Sequence, residues 1–224
     1  MGHPLPEPPD PRVVLAAAAA RWDRVAGRLT PAARERLAAL LGLVRDPDRD
    51  PRTRAVAASD TAALLSEELP DEFGADAGAR LVATAPAAGG QPAVDGFVAE
   101  DLAVLLIDGH RMVGPVLGPV RDRLLAEPAL DADELARRGG APTAPGLIRL
   151  PGVGGRLRLP RFQFSEDTLP WLVVLEVNAL LAADRDPWGA ADWWLSANAW
   201  LGTSPVELLR SEERRVGKEC RSRW

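Results

Sequence analysis

Residues 186–209 read DPWGAADWWLSANAWLGTSPVELL, and four of the chain's seven tryptophans fall within them. Asp186 suits an N-cap and Pro187 the first position of a helix, so a helix is expected over DPWGAADWWL. Ser204, Pro205 and Glu207 repeat the device as a capping box that opens another helix, and Gly202 ends the turn before it. Adjacent residues on a helix point about 100° apart, so Trp193 and Trp194 do not both sit at the centre of one buried stripe. One leans toward a rim. Each indole buries up to about 250 Å², worth roughly 6 kcal/mol gross. Residues 166–210 alone make too small a body to enclose Trp171, Trp188, Trp193, Trp194 and Trp200. Two readings follow and can coexist: most of these indoles pack on the preceding region, or at least one is the hot spot of a protein interface.

Upstream, TLPWLVVLEVNALLA is expected to be a helix starting at Thr168, with Pro170 in its first turn, and is apolar enough for a central position. Before it stands LIRLPGVGGRLRLP, two short alternating runs around a Pro/Gly turn, which is a hairpin signal. Side chains alternate along a strand, so Arg156 and Arg158 share one face while Leu157 and Leu159 share the other, expected buried. Arg149 and Arg161 extend the basic patch, and Phe162 and Phe164 continue the apolar alternation. LDADELARRGG reads as a short helix capped by Asp131, with Glu134 as reciprocal partner and Gly139-Gly140 as the stop.

The amino-terminal half reads as helices over 12–27, 31–44 and 53–68. Thr30 caps the second and Pro31 suits its first position. Leu37, Leu40, Leu41 and Val44 form one apolar stripe on it. Further helices are expected over 98–107 and 115–127. The resulting fold class is mainly α: a helical N-terminal region, then a helical region with one short wing-like β-hairpin, then a small C-terminal helical module. The boundaries are a disordered start over 1–10, a helical region over 11–84, a linker over 85–96, a hairpin-bearing region over 97–165, the helical module over 166–210 and a tail over 211–224.

That tail, SEERRVGKECRSRW, holds the only lysine, Lys218, and the only cysteine, Cys220, in a chain otherwise rich in Arg, Ala, Leu, Pro and Gly. EERRVGKECRSRW resembles a translated sequencing-adapter read, and the tail is read as an artefact and excluded from the fold. Without it 22 basic and 29 acidic residues remain, a net charge of −7. This balance disfavours broad nucleic-acid affinity but permits a local basic patch. No basic n-region precedes an apolar core at the start, and VVLAAAAA is broken by Arg21, Asp23 and Arg24, so neither a signal peptide nor a membrane span is expected. A reduced, cytoplasmic setting follows from the cysteine usage.

The pattern VNALLAADRDPWGAADWWLSANAWLGTSPVELL resembles the C-terminal toxin-binding domain of the MbcA/ParS/Xre antitoxin family. The matching features are Trp194, Leu195, Leu201, Gly202, Pro205, Leu208 and Leu209: a Trp-bearing helix, a turn with an LG pair, then a Pro-started helix ending in paired leucines. The resemblance covers about 35 residues, and about 65 with the hairpin included. It implies a module that inhibits a cognate toxin, often a RES-domain enzyme that consumes NAD, by occupying its active-site entrance. On that footing the partner-binding residues are Trp193, Trp194, Trp200, Leu201, Gly202 and Pro205.

LDADELARR and the hairpin resemble the first helix and the wing of an excisionase- or MerR-like winged helix-turn-helix. Between them GGAPTAP stands where a recognition helix is expected, and its Gly and Pro content rules out a helix of useful length. Phosphate contacts through Arg149, Arg156, Arg158 and Arg161 are the alternative reading, a DNA-binding regulator; the third is a helical scaffold of unknown partner. A homo-oligomer is compatible with each. No cofactor or metal is implied, since His3, His110 and Cys220 are the only imidazoles and thiol. His110 reads as a loop or capping residue, GVGG as a turn lacking the helix and lysine of a phosphate loop, and no carboxylate pairs with a nucleophile. An enzyme is not expected.

Overall fold

A computed structural model describes residues 9–74 and 90–211. Of the disorder expected over residues 1–10, residues 1–8 lie outside the described residues, as do the linker up to residue 89 and the tail beyond Ser211; Asp10 instead caps the first helix. The chain is mainly helical with small antiparallel sheets, as the sequence pattern implies. It divides into two compact units, residues 1–119 and 120–224. This differs from a boundary at 85–96. Val94, Ala99, Leu102 and Leu105 share a core with Val13–Ala19, so the segment after residue 96 belongs to the first unit.

In the first unit, α1 (Pro11–Ala20) is capped by Asp10, whose carboxylate accepts the Arg12 N–H at 2.8 Å. Every residue from Val13 to Ala19 is buried. A helix apolar all round belongs inside, and its alanines let α4 (Pro51–Glu68) and α6 (Ala99–Ala103) pack closely. The single helix expected over 12–27 is broken at Arg21, where the backbone leaves the helical region; the short α2 (Trp22–Val25) and a 3-10 turn follow. In α3 (Pro31–Arg45) the Thr30 hydroxyl accepts the Ala33 N–H at 3.1 Å, and Leu37 and Leu41 are buried while Leu40 and Val44 sit at the stripe's edge. Asp50 caps α4 through the N–H groups of Arg52 and Thr53. A short α5 (Pro70–Phe73) follows.

β1 (Ala93–Val94) pairs antiparallel with β2 (Phe97–Val98). The buried Asp101 carboxylate accepts N–H groups from Val98 and Gly114, tying the hairpin to the chain beyond α6. The helix expected over 98–107 widens into a π turn over Val104–Asp108 and stops at Gly109, whose φ of +70° suits glycine. Asp108 there forms a two-pronged ion pair with Arg45 at 2.7 and 2.9 Å, with side chains only 4% and 6% exposed. The helix α7 (Gly114–Ala126) contains Pro119, at which the first unit ends.

The second unit is built on a three-stranded sheet. β3 (Ala129–Asp131) and β4 (Leu150–Pro151) both pair antiparallel with the central β5 (Leu157–Pro160). The expected hairpin is β4 and β5; β3 is an additional strand not foreseen. Asp131 caps α8 (Ala132–Arg137), accepting from the N–H groups of Asp133 and Glu134, while the Glu134 side chain pairs with Arg138. Residues 139–149 are turns and extended chain.

Leu159 is buried among Leu130, Leu135, Leu147 and Phe164, but Leu157, expected beside it, is 40% exposed. It pairs with Pro151 beyond the end of β3, where no core lies beneath it. Phe162 and Phe164 do not continue a strand: a 3-10 turn over Arg161–Gln163 buries both, with Gln163 between them.

The helix expected from Thr168 begins later, as α9 (Leu172–Leu180). A bridge between Phe164 and Pro170 and the bond from Trp171 N–H to Gln163 C=O hold the preceding chain extended. Nor is α9 central: Leu172, Val173, Glu176, Ala179 and Leu180 face solvent. α10 (Pro187–Leu195) starts as expected, with Asp186 accepting the Gly189 N–H at 2.8 Å. A last helix, α11, covers 205–211.

Candidate functional site

The tryptophan-rich region separates into a core face and an outer face. Trp194 is buried among Ile148, Leu150, Phe162, Val174, Ala190, Ala191 and Val206. Its ring lies 5.5 Å from Phe162, and Trp193 meets it edge-on at 5.3 Å, a favourable aromatic arrangement. The indole N–H donates to Asn178 Oδ1 at 2.8 Å. Asn178 Nδ2 in turn donates to Gly146 C=O at 2.7 Å and to Gln163 Oε1 at 3.2 Å, and Gln163 spans Ile148 through both its N–H and C=O. This buried polar network joins α9, α10 and the hairpin. Residues 166–210 therefore share one core with the hairpin and do not stand as a separate module. Sequence reading missed Gln163 and Asn178, although an amide between two phenylalanines and another inside LVVLEVNALL, two residues past the exposed Glu176, are visible signals.

The proposed partner-binding set is thus not one surface. Trp194 and Pro205 are buried and Trp193 is half-buried, so these three build the fold. Trp200, Leu201 and Gly202 lie on the outside, and Trp200 is 97% exposed. The turn that carries them is fixed. Asn198 Oδ1 accepts the N–H groups of Trp200 at 2.9 Å and Leu201 at 3.3 Å, Gly202 N–H donates to Asn198 C=O, and Asn198 bridges to Thr203. Gly202 has a φ of +72°, the left-handed conformation such a turn requires. Leu208 adds further exposed apolar surface on α11.

The four hairpin arginines are spent differently from a phosphate-binding row. Arg149 pairs with Asp184 at 2.7 Å and reaches Ala144 C=O; Arg158 donates to Glu127 C=O and Arg161 to Phe164 C=O. Arg156 is exposed near the tip.

In the first unit an open groove of about 880 Å³ runs beside α3 and α4, with Arg36, Asp60 and Glu67 on its rim over Leu40 and Leu64. The hydroxyl of Ser66, the one nucleophile type lining it, is engaged by the carbonyls of Ala62 and Phe73. His110 accepts the Met112 N–H through Nδ1, a loop-capping role. Among the described residues no three His, Cys, Asp or Glu side chains converge as metal ligands, and no helix is long and apolar enough to cross a membrane.

Compared with protein-family models, with curated proteins and with solved structures, the chain matches none.

Proposed function

We propose that this chain is a protein-binding module of the antitoxin type, which neutralises a partner enzyme through the Trp200–Leu201 turn and the exposed side of α11. The observation that carries the reading is the near-complete exposure of Trp200 on a turn held by Asn198. An exposed indole forgoes roughly the 6 kcal/mol of gross burial that full enclosure, as at Trp194, provides. A turn already fixed by hydrogen bonds loses little entropy on docking, and Trp is enriched at interface hot spots. The LG turn and the Pro-started helix supply the resemblance to the toxin-binding domain, which makes a RES-type, NAD-consuming toxin the first partner to try.

The experiment is co-purification of the chain with a RES-domain protein encoded beside its gene. Trp200→Ala is expected to abolish the complex and leave the helical circular-dichroism signal intact, since Trp200 supports nothing beneath it. Trp193 is unsuitable as a probe because its loss disturbs the Trp194 core. A complex that survives Trp200→Ala unchanged overturns the assignment.

A further inference from the structure

α9 has the wrong amphipathicity for its place. Its inner face carries Val174 and Asn178, flanked by the half-buried Leu175 and Val177. Its outer face carries Leu172, Val173, Glu176, Ala179 and Leu180, which at 100° per residue fill an arc of about 120°. An arc that wide with four apolar residues of five normally faces a core. Here Leu172 is 71% exposed and Leu180 87%, and Leu169 just before the helix adds a third exposed leucine. Large apolar side chains exposed together in this way, around a single carboxylate, mark an interaction site.

The charges on the face decide what fits it. Glu176 stands at the middle of the arc and makes no ion pair among the described residues. Glu166 and Asp167, exposed at the amino-terminal approach to the helix, likewise make none. In a two-fold pairing of two copies centred on α9, Glu176, the midpoint of Leu172–Leu180, lies at the axis and meets its own image. Like charges juxtaposed in an apolar contact disfavour that arrangement. A helix from a different protein, with apolar residues at three- and four-residue spacing around a central Lys or Arg, satisfies both the leucines and the carboxylate.

We infer that the outer face of α9 is a docking surface for an amphipathic partner helix bearing a basic residue at the centre of its apolar stripe. The inference rests on the partner-binding reading above but uses a different surface from the Trp200 turn.

The test presents the full chain to a displayed library of helical peptides with leucines fixed at three- and four-residue spacing and the other positions randomised. Enriched peptides are expected to carry Lys or Arg at the stripe's centre. Their affinity is expected to fall at least tenfold with Leu172→Asp or Leu180→Asp, both exposed positions whose change leaves the core alone. Glu176→Lys is expected to weaken them similarly, with a peptide carrying the reversed central charge restoring binding. Peptides that ignore these three changes but are lost with Trp200→Ala overturn the α9 surface while leaving the partner-binding reading in place. No enrichment, or enrichment of peptides with acidic or uncharged centres, overturns the inference, whereas co-purification with the toxin independently judges that reading. Concentration-dependent dimerisation of the chain that Leu180→Asp removes overturns it in favour of a second copy.

Discussion

The indole N–H of Trp194 donates to Asn178 Oδ1 at 2.8 Å, deep in the second unit, and that bond fixes which of two adjacent tryptophans turns inward. Trp193 and Trp194 are equivalent in hydrophobicity; only Trp194 finds a buried acceptor, supplied by the one polar residue on the inner face of α9. Replacing Trp194 by Phe keeps an aromatic ring against Phe162 but leaves Asn178 Oδ1 buried without a donor. The expected destabilisation is about 1–3 kcal/mol for the orphaned acceptor, before the smaller ring is counted. Trp193→Phe, at the half-buried edge, is expected to be milder. Urea denaturation of the two variants gives the comparison, and equal losses would remove the hydrogen bond as the cause.

What the sequence made legible was mostly local. Thr30, Asp131 and Asp186 cap the helices they were expected to cap, because a cap is a short-range contact between a side chain and an N–H two or three residues on. The hairpin's existence followed from alternation and a Gly-rich turn, although Leu157, expected on the buried face, is exposed. What was not legible depended on distant partners. The Gln163–Asn178–Trp194 network needs three segments at once, so periodicity gives no hint that these residues meet. The run LVVLEVNAL reads as apolar whether covered or bare, so composition suggests a central helix and does not reveal that one face of α9 looks outward. The unit boundary lies within α7 at Pro119, where composition shows no linker, while the Pro/Gly-rich stretch ending near residue 96 leads into residues of the first core. Of the candidate interface, Trp200 and Leu201 stand outside and Trp194 and Pro205 inside, a division that adjacency in sequence does not reveal.

Arg45 and Asp108 make an almost fully enclosed ion pair, joining the end of α3 to the π turn. Truncating one member strands a buried charge. Asp108→Ala is expected to destabilise by about 3–5 kcal/mol, whereas replacing both members by apolar residues of similar size is expected to be close to neutral. A double-mutant cycle read by thermal or urea unfolding checks this, and additive losses from the two single changes would show the pair uncoupled.

Acid stability should carry the signature of two caps. Hydrogen bonds from the Thr53 hydroxyl, then from the N–H groups of Thr53 and Arg52, hold the Asp50 carboxyl below its ordinary range. At Asp131 the Glu134 N–H lowers the carboxyl most, with help from the Asp133 N–H and the nearby Arg137 and Arg156 charges. A carboxyl whose folded value is depressed stabilises the fold above its unfolded value. That contribution is lost as pH falls through the folded value. Unfolding free energy should therefore decline with acidification below the ordinary aspartate range. Asp131→Asn, which keeps an acceptor but does not titrate there, should flatten the decline. A slope against pH unchanged in that variant would mean Asp131 does not contribute to it.

The hairpin arginines predict how the chain meets DNA. Phosphate binding gains its strength from releasing condensed counterions, and each neutralised phosphate adds about −0.9 to the slope of log K against log salt. Four free arginines would give a slope near −3.6. Arg149 is paired with Asp184, and Arg158 and Arg161 are drawn back onto the carbonyls of Glu127 and Phe164, so their guanidinium groups are aimed at their own chain. Arg156, exposed near the hairpin tip, is the one placed to reach outward. A filter-binding titration with DNA from upstream of the gene is accordingly expected to show weak binding, with a slope no steeper than about −1. Arg156→Ala should remove most of it, while Arg158→Ala should instead lower stability by releasing the bond to Glu127. A slope near −3.6 that declines in equal steps as each arginine is replaced would show that the basic face opens toward nucleic acid after all.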